Sequence, residues 1–358
     1  MNESLQELVR QATLLTQSGR LNEATQTIQR ALRGTVTPVA APQASSVIPT
    51  RADSGPGEFT SGSHTHAGLT RSFKLYTPPG HAGQALPLVV MLHGCTQDAD
   101  DFATGTGMNE RAREQGFYVL YPEQAQDANP GGCWNWFKHN HQTRGRGEPA
   151  LLASLTQALV QQHGMDARRV FVAGMSAGGA MAAIMATEYP DIFAAVGVHS
   201  GLPTGSASNM SEALMVMSSG EAGIAMPAMA KSPGVKPKGS RQALVVIPTI
   251  VFHGDQDHTV HPRNGEKVIE TALGSASASG AARQSAGQVE VEQGQSAQGR
   301  PYTRAIHRDA KGHTLTEHWL VHGAGHAWSG GNARGSYTDA RGPDATGEML
   351  RFFFAQMR

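Results

Sequence analysis

The residues with the clearest chemical potential sit around one serine. Gly174-Met175-Ser176-Ala177-Gly178, followed by Gly179, lies between the apolar run RRVFVA and the run GGAMAAIMATEY. The chain there must turn sharply from strand to helix. Such a turn pushes a serine hydroxyl out above a sheet, and flanking glycines permit the close packing it needs. A glycine-rich helix start that binds nothing shares the bare spacing, but not the strand–turn–helix context. A hydroxyl is a weak nucleophile until a base takes its proton. The implied chemistry is therefore acyl transfer through a hydroxyl, an imidazole and a carboxylate, with the partners following in the order Ser, acid, His. His253-Gly254-Asp255-Gln256-Asp257-His258-Thr259-Val260 follows a predicted strand and offers two acids, Asp255 and Asp257. His322-Gly323-Ala324-Gly325-His326-Ala327-Trp328 follows another and offers two bases, His322 and His326.

A tetrahedral intermediate also needs donors for its oxyanion. Leu92-His93-Gly94-Cys95-Thr96-Gln97 ends a predicted strand at the place where this kind of site draws one backbone donor, the other coming from the residue after the nucleophile. That assigns the N–H groups of Cys95 and Ala177. Trp134, Trp136 and Trp328 lie beside these segments in sequence and are candidates for an aromatic substrate wall, against the ordinary alternative of core packing. With 16 histidines, a lone imidazole means little. His139, His141, His258 and His261 have no chain position that suggests a relay. His64/His66 and His139/His141 lack further ligands at metal-binding spacing and read as solvated loop residues. The two cysteines, Cys95 and Cys133, cannot make a tetrahedral zinc site alone. No metal or cofactor is expected.

These segments need a sheet to hold them. LPLVVMLHG and RRVFVAG are continuous apolar runs of the kind central parallel strands show, and RSFKLYTP alternates as a half-buried strand does. GFYVLYP, AAVGVHSG, PTIVFHG and TLTEHWLV add strands. Residues 149–163, AGGAMAAIMATEY, RNGEKVIETAL and GEMLRFFFAQM add helices. Strand and helix alternate, which predicts an α/β fold with a mostly parallel sheet covered on both faces. Residues 203–243, rich in Met, Gly, Ser and Lys, read as a flap, and 274–300 as an exposed loop or hairpin arm. Residues 1–33 carry two helical patterns broken at Ser18-Gly19 and predict a small helical hairpin. A single such unit must dock on the main domain or on another chain, so it is the candidate surface for homo-oligomerisation or granule association. Residues 34–66, rich in Thr, Pro, Ala, Ser and Gly, predict a flexible linker, leaving 67–358 as the catalytic domain.

Composition limits the partners. The 358 residues carry 29 basic and 29 acidic side chains, which gives no electrostatic reason to expect nucleic acid. No apolar run approaches the roughly 20 residues of a membrane span. The N-terminal MNESLQELVRQ lacks a secretory pattern, which predicts a cytoplasmic protein; a secreted chain trimmed of its leader would read the same.

In order along the chain, HGCTQ, CWNWF (Cys133–Phe137), GMSAGG, HGDQDHTV and GAGHAWSGG resemble the poly(3-hydroxybutyrate) depolymerase-type esterases, a group similar to feruloyl and acetyl-xylan esterases. The resemblance runs from about residue 69 to the C-terminus. It implies an α/β-hydrolase fold and a serine esterase acting on hydroxyalkanoate esters. It selects Asp257 over Asp255 as the acid and His326 over His322 as the base, with Ser176 as nucleophile. It further implies a Cys95–Cys133 disulfide beside the oxyanion donors, which fits poorly with a cytoplasmic location. A feruloyl or acetyl-xylan esterase is the nearest alternative, since the relay itself is indifferent to the acyl group. A non-catalytic binding protein on a hydrolase scaffold is the alternative of another class.

Overall fold

The computed structural model describes residues 55–221, 247–278 and 289–356. The expected hairpin over 1–33, with its association surface, and the linker up to residue 54 lie outside the described residues.

The first strands are β1 (Glu58–His66), β2 (Leu69–Thr77) and β3 (Leu88–Leu92). Two short helices, α1 (Ala99–Thr106) and α2 (Met108–Gln115), lead to β4 (Tyr118–Pro122). Then come α3 (Gly147–His163), β5 (Val170–Met175), α4 (Ala177–Glu188), β6 (Ala195–His199) and α5 (Met210–Ser219). The chain continues with β7 (Thr249–Gly254), α6 (Arg263–Ala278), β8 (Val289–Gln295), β9 (Pro301–Arg308) and β10 (Thr314–Val321). After two two-residue strands, β11 (Trp328–Ser329) and β12 (Thr338–Asp339), α7 (Ala345–Phe354) is the last helix described.

One sheet runs β1-β2-β4-β3-β5-β6-β7-β10-β9-β8. From β4 to β10 all neighbours are parallel. The two edges are antiparallel. Parallel strands need both faces covered, and the residues of β3 show how. Leu88, Val90 and Leu92 face one core with Leu152 and Leu155 of α3 and Met181 and Ile184 of α4. Val89 and Met91 face the other with Phe102 of α1, Met108 of α2 and Met349 and Phe353 of α7. Every residue of β3 to β7 is buried, which is why these runs read as continuously apolar. The architecture is the α/β-hydrolase fold.

Several elements differ from expectation. Residues 58–66, expected as the end of the linker, form β1, paired along its whole length with β2. Its EFTSGSHTH composition is poor in apolar residues because it is an edge strand. Its anchor is Phe59, whose ring meets Tyr121 edge-on at 5.6 Å. Helices α1 and α2 were not expected. Each is only eight residues long, and they share Gly107 as C-cap of one and N-cap of the other. Within the expected flap, Asn209 caps α5 by accepting the Glu212 N–H; residues 222–243 of that flap lie outside the described residues. The expected hairpin arm is found in part, as β8 paired antiparallel with β9.

Ligand crevices in such sheets lie at the carboxyl ends of the strands. Here β3, β5, β7 and β10 end respectively at the Cys95 loop, at Ser176, at the Asp257 loop and at the His326 loop.

Candidate active site

Ser176 stands at the tip of the turn from β5 to α4 with φ +56° and ψ −120°, a conformation an L-residue adopts only when its surroundings enforce it. The enforcement comes from close backbone contact. A Cβ on Gly178 would lie 2.0 Å from the Leu92 carbonyl oxygen, so only glycine allows α4 to start this near the end of β3. The Ser176 N–H donates to the His199 carbonyl at 2.9 Å, while its side chain makes no capping bond to the helix below it. The hydroxyl is thus not consumed by the local structure.

The expected acid and base are joined. His326 Nδ1 lies 2.6 Å from Asp257 Oδ2. The other oxygen of Asp257 accepts the N–H groups of Thr259 (2.9 Å) and Val260 (2.8 Å). Burial alone would raise the Asp257 carboxyl, but hydrogen bonds from His253, His326 and the Val260 amide hold it far below the usual carboxylate range. A carboxylate that only accepts fixes the proton of neutral His326 on Nδ1 and leaves Nε2 as the basic nitrogen.

The rejected pair is also joined, but elsewhere. His322 Nδ1 lies 2.9 Å from Asp255 Oδ2, and its Nε2 meets Thr303 Oγ1 on β9 at 2.9 Å. His322 is 37% exposed, against 12% for His326.

Two histidines that sequence alone did not single out hold the centre together. His199 is fully buried. Its carbonyl binds the Ser176 amide, and its Nε2 accepts the Ser329 N–H at 2.9 Å, tying the serine turn to the chain just after His326. Burial, reinforced by the nearby His253 and His326, pushes its pKa down to about 3, so the ring stays neutral. His253, also buried, donates Nε2–H to the Val260 carbonyl at 2.8 Å and sits 3.4 Å from Asp257 Oδ2. It closes the loop that wraps the acid. In the sequence both looked like strand-end histidines, one in VHSG and one in FHG.

The expected oxyanion segment is fixed with comparable care. His93 is buried, and its Nε2 accepts the Gln124 N–H, so a neutral ring carries its proton on Nδ1 and donates it to the Gly94 carbonyl at 2.8 Å. A trans peptide opposes C=O and N–H, so pinning the Gly94 carbonyl turns the Cys95 N–H to the opposite side. The Gly94 amide is occupied by Gln97 Oε1 at 3.0 Å, and among the described residues nothing accepts the Cys95 amide. The Ala177 amide, in the first turn of α4, has no intrahelical partner. Gly94 lies against Ser176: a Cβ placed on it would be 3.6 Å from that of the serine.

Cys95 and Cys133 are disulfide-bonded, which ties the loop after β3 to the loop carrying Trp134. That loop is anchored from beneath by Glu148, fully buried at the start of α3. Glu148 accepts from Asn135 N and Nδ2, from Gln124 Nε2 and from Arg71. Burial opposes its charge, yet hydrogen bonds from His141, Gln124 and Asn135 lower its pKa to about 2. Cys133→Ser is expected to lower both Tm and kcat. The bridge spans 38 residues, for which loop closure suggests about 3–4 kcal/mol of stability. Cys95→Ser is expected to do the same, and because the residue-95 amide survives, some oxyanion stabilisation should remain. Intact mass before and after reduction checks the bond; two free thiols, with Tm and kcat unchanged in both variants, would contradict it.

Trp134, Trp136 and Trp328 are all buried. Trp134 packs on His93 and Trp328 on His199, with ring centroids 5.6 and 4.9 Å apart, and Trp328 donates to Thr346 Oγ1. Burying such large indoles contributes strongly to the core.

Residues 71–293 match the family model described as esterase PHB depolymerase. Over 213 residues, 58% of this chain, the sequence is 35% identical to poly(3-hydroxyalkanoate) depolymerase C of Paucimonas lemoignei, covering 48% of that protein. Over 185 residues, 49% of this chain, it is 32% identical to acetylxylan esterase A of Talaromyces purpureogenus, covering 46% of it. The chain thus spans about half the length of these curated relatives. Among solved structures, the acetyl xylan esterase from Aspergillus awamori shares the fold with a TM-score of 0.56 at 21% identity, covering 85% of this chain and 97% of that one.

Proposed function

The chain belongs to the esterase PHB depolymerase family, and on that premise we propose that it hydrolyses carboxylic esters of hydroxyalkanoates, oligomeric or short-chain, by a serine mechanism. The observation that carries the proposal is the 2.6 Å Asp257–His326 bond, formed between loops that leave the same edge of the parallel sheet as the strained, uncapped Ser176 turn. Ser176 Oγ attacks the ester carbonyl carbon while His326 Nε2 takes its proton. The carbonyl oxygen becomes an oxyanion facing the amides of Cys95 and Ala177. Collapse breaks the bond to the alkoxy oxygen, which leaves with the proton from His326 as an alcohol. Water then attacks the acyl-enzyme, again giving a proton to His326; the acid departs and Ser176 recovers its hydrogen. Protons and electrons balance within the protein, the ester and water.

A second reading, removal of acetyl groups from xylan, is favoured by the acetylxylan esterase relative. The bonded Cys95–Cys133 pair supports an oxidising compartment rather than the cytoplasm expected from the N-terminal composition.

The test is a substrate panel on wild type and Ser176→Ala: hydroxybutyrate oligomers, p-nitrophenyl butyrate, acetylated xylan and methyl ferulate. The proposal expects the highest kcat/KM on the oligomers, abolished in the variant. A clear preference for acetylated xylan or methyl ferulate would replace the acyl assignment. Turnover of none of them would overturn the proposal.

A further inference from the structure

His326 lies five residues beyond the end of β10, after a segment, His322-Gly323-Ala324-Gly325, that has little conformational preference of its own. Something else must place the imidazole. The contacts come from the loop after β7, the same loop that bears Asp257. The Asp255 N–H donates to the Val321 carbonyl at 3.1 Å, and the Gln256 N–H to the Ala324 carbonyl at 3.0 Å. The two loops are so close that a Cβ on Gly254 would lie 2.2 Å from the Ala324 carbonyl oxygen. The Asp255 carboxylate completes the junction with both oxygens: Oδ1 accepts the Gly323 N–H at 2.7 Å, and Oδ2 meets His322 Nδ1 at 2.9 Å. On the far side the segment is held by Arg300, whose Nη1 donates to the carbonyls of His322 and Gly323, and by Thr303 through His322 Nε2.

We infer that Asp255 is a positioning residue for His326. Two aspartates one residue apart divide the work: Asp257 orients the imidazole ring, and Asp255 clamps the backbone that presents it. The inference rests on the serine mechanism proposed above. A ring displaced by an ångström loses its line to the serine hydroxyl, and misplacements of that size cost on the order of 10²-fold in rate. The clamp touches neither the ester nor the reacting atoms, so its loss acts on kcat and leaves KM alone. Asparagine at this position keeps an oxygen for the Gly323 N–H and offers an N–H to an unprotonated His322 Nδ1. It should therefore restore most of what alanine loses.

The experiment compares Asp255→Ala, Asp255→Asn and His322→Ala with wild type on p-nitrophenyl butyrate, well below each Tm. Active sites are counted by complete labelling with a serine-directed phosphonate. Per labelled site, Asp255→Ala is expected to fall about 10- to 100-fold in kcat with KM within twofold, and to label more slowly by a similar factor. Asp255→Asn should stay within about threefold of wild type, and His322→Ala, which keeps the Gly323 contact, should lie between. A brace that only stabilises the fold would lower Tm and the labelled fraction but leave kcat per labelled site at the wild-type value; that result overturns the inference. Should Asp255→Ala fail to fold, wild-type kcat in His322→Ala together with a full loss in Asp255→Asn would overturn it equally. Failure of the underlying mechanism looks different, because Ser176→Ala would then remain active.

Discussion

Ser176→Ala and His326→Ala are each expected to lower kcat by about 10⁶-fold, and the double variant should be no slower than either single one. In the proposed mechanism the two act as a unit. Without His326 the hydroxyl keeps its proton, and without the hydroxyl the imidazole has nothing to activate. What remains is rate enhancement from the oxyanion donors and from binding, about 10³- to 10⁴-fold over water. The backbone donors at Cys95 and Ala177 survive both substitutions, since neither change touches the His93–Gly94 bond or the disulfide that hold that segment. Steady-state kinetics on p-nitrophenyl butyrate, with circular dichroism to establish folding, measures the effect. A Ser176→Ala protein within tenfold of wild type would place the nucleophile elsewhere.

Asp257→Asn is expected to cost about 10⁴-fold in kcat, the size seen when a relay aspartate is neutralised without changing its shape. The carboxylate accepts from His326 Nδ1 at 2.6 Å and so keeps the basic lone pair on Nε2. An amide at that position turns an N–H toward Nδ1, which drives the proton to Nε2 and removes the base. Asparagine at 257 also gives up the charge that faces the imidazolium formed in the transition state. Asp255→Asn, by contrast, should change kcat by a few-fold at most. The paired variants, assayed side by side, decide between the two acids. A crippled Asp255→Asn with a mild Asp257→Asn would reverse the assignment.

Much of this was legible in the sequence, for identifiable reasons. The strands from β3 to β7 are buried on both faces, so their apolar runs had no competing explanation. The chemical residues follow those runs at once, so their positions in space came with the strands. Choosing Asp257 over Asp255 needed the family resemblance, because both follow β7 and both do bind a histidine. What was not legible depends on contacts across the sheet. His199 and His253 are strand-end histidines until β5, β6 and β7 are laid side by side and the polar atoms left in the centre can be matched. Glu148 reads as an ordinary acid at a helix start, and only the fold buries it under Asn135 and Gln124. The three tryptophans could be read from the sequence as a substrate wall or as core packing, and only the fold shows that all three are buried. β1 was lost to its composition, since an edge strand carrying Thr, Ser, Gly and His looks like the linker before it.

The central claim is that Ser176 is the nucleophile, activated by His326. It is tested most directly by treating the protein with a serine-directed phosphonate and mapping the adduct by peptide mass spectrometry. The account predicts one stoichiometric adduct on the peptide containing Gly174-Met175-Ser176-Ala177-Gly178, loss of esterase activity in step with labelling, and slow or absent labelling in His326→Ala. Stoichiometric labelling of another residue, or a fully labelled Ser176 that leaves activity intact, would contradict it.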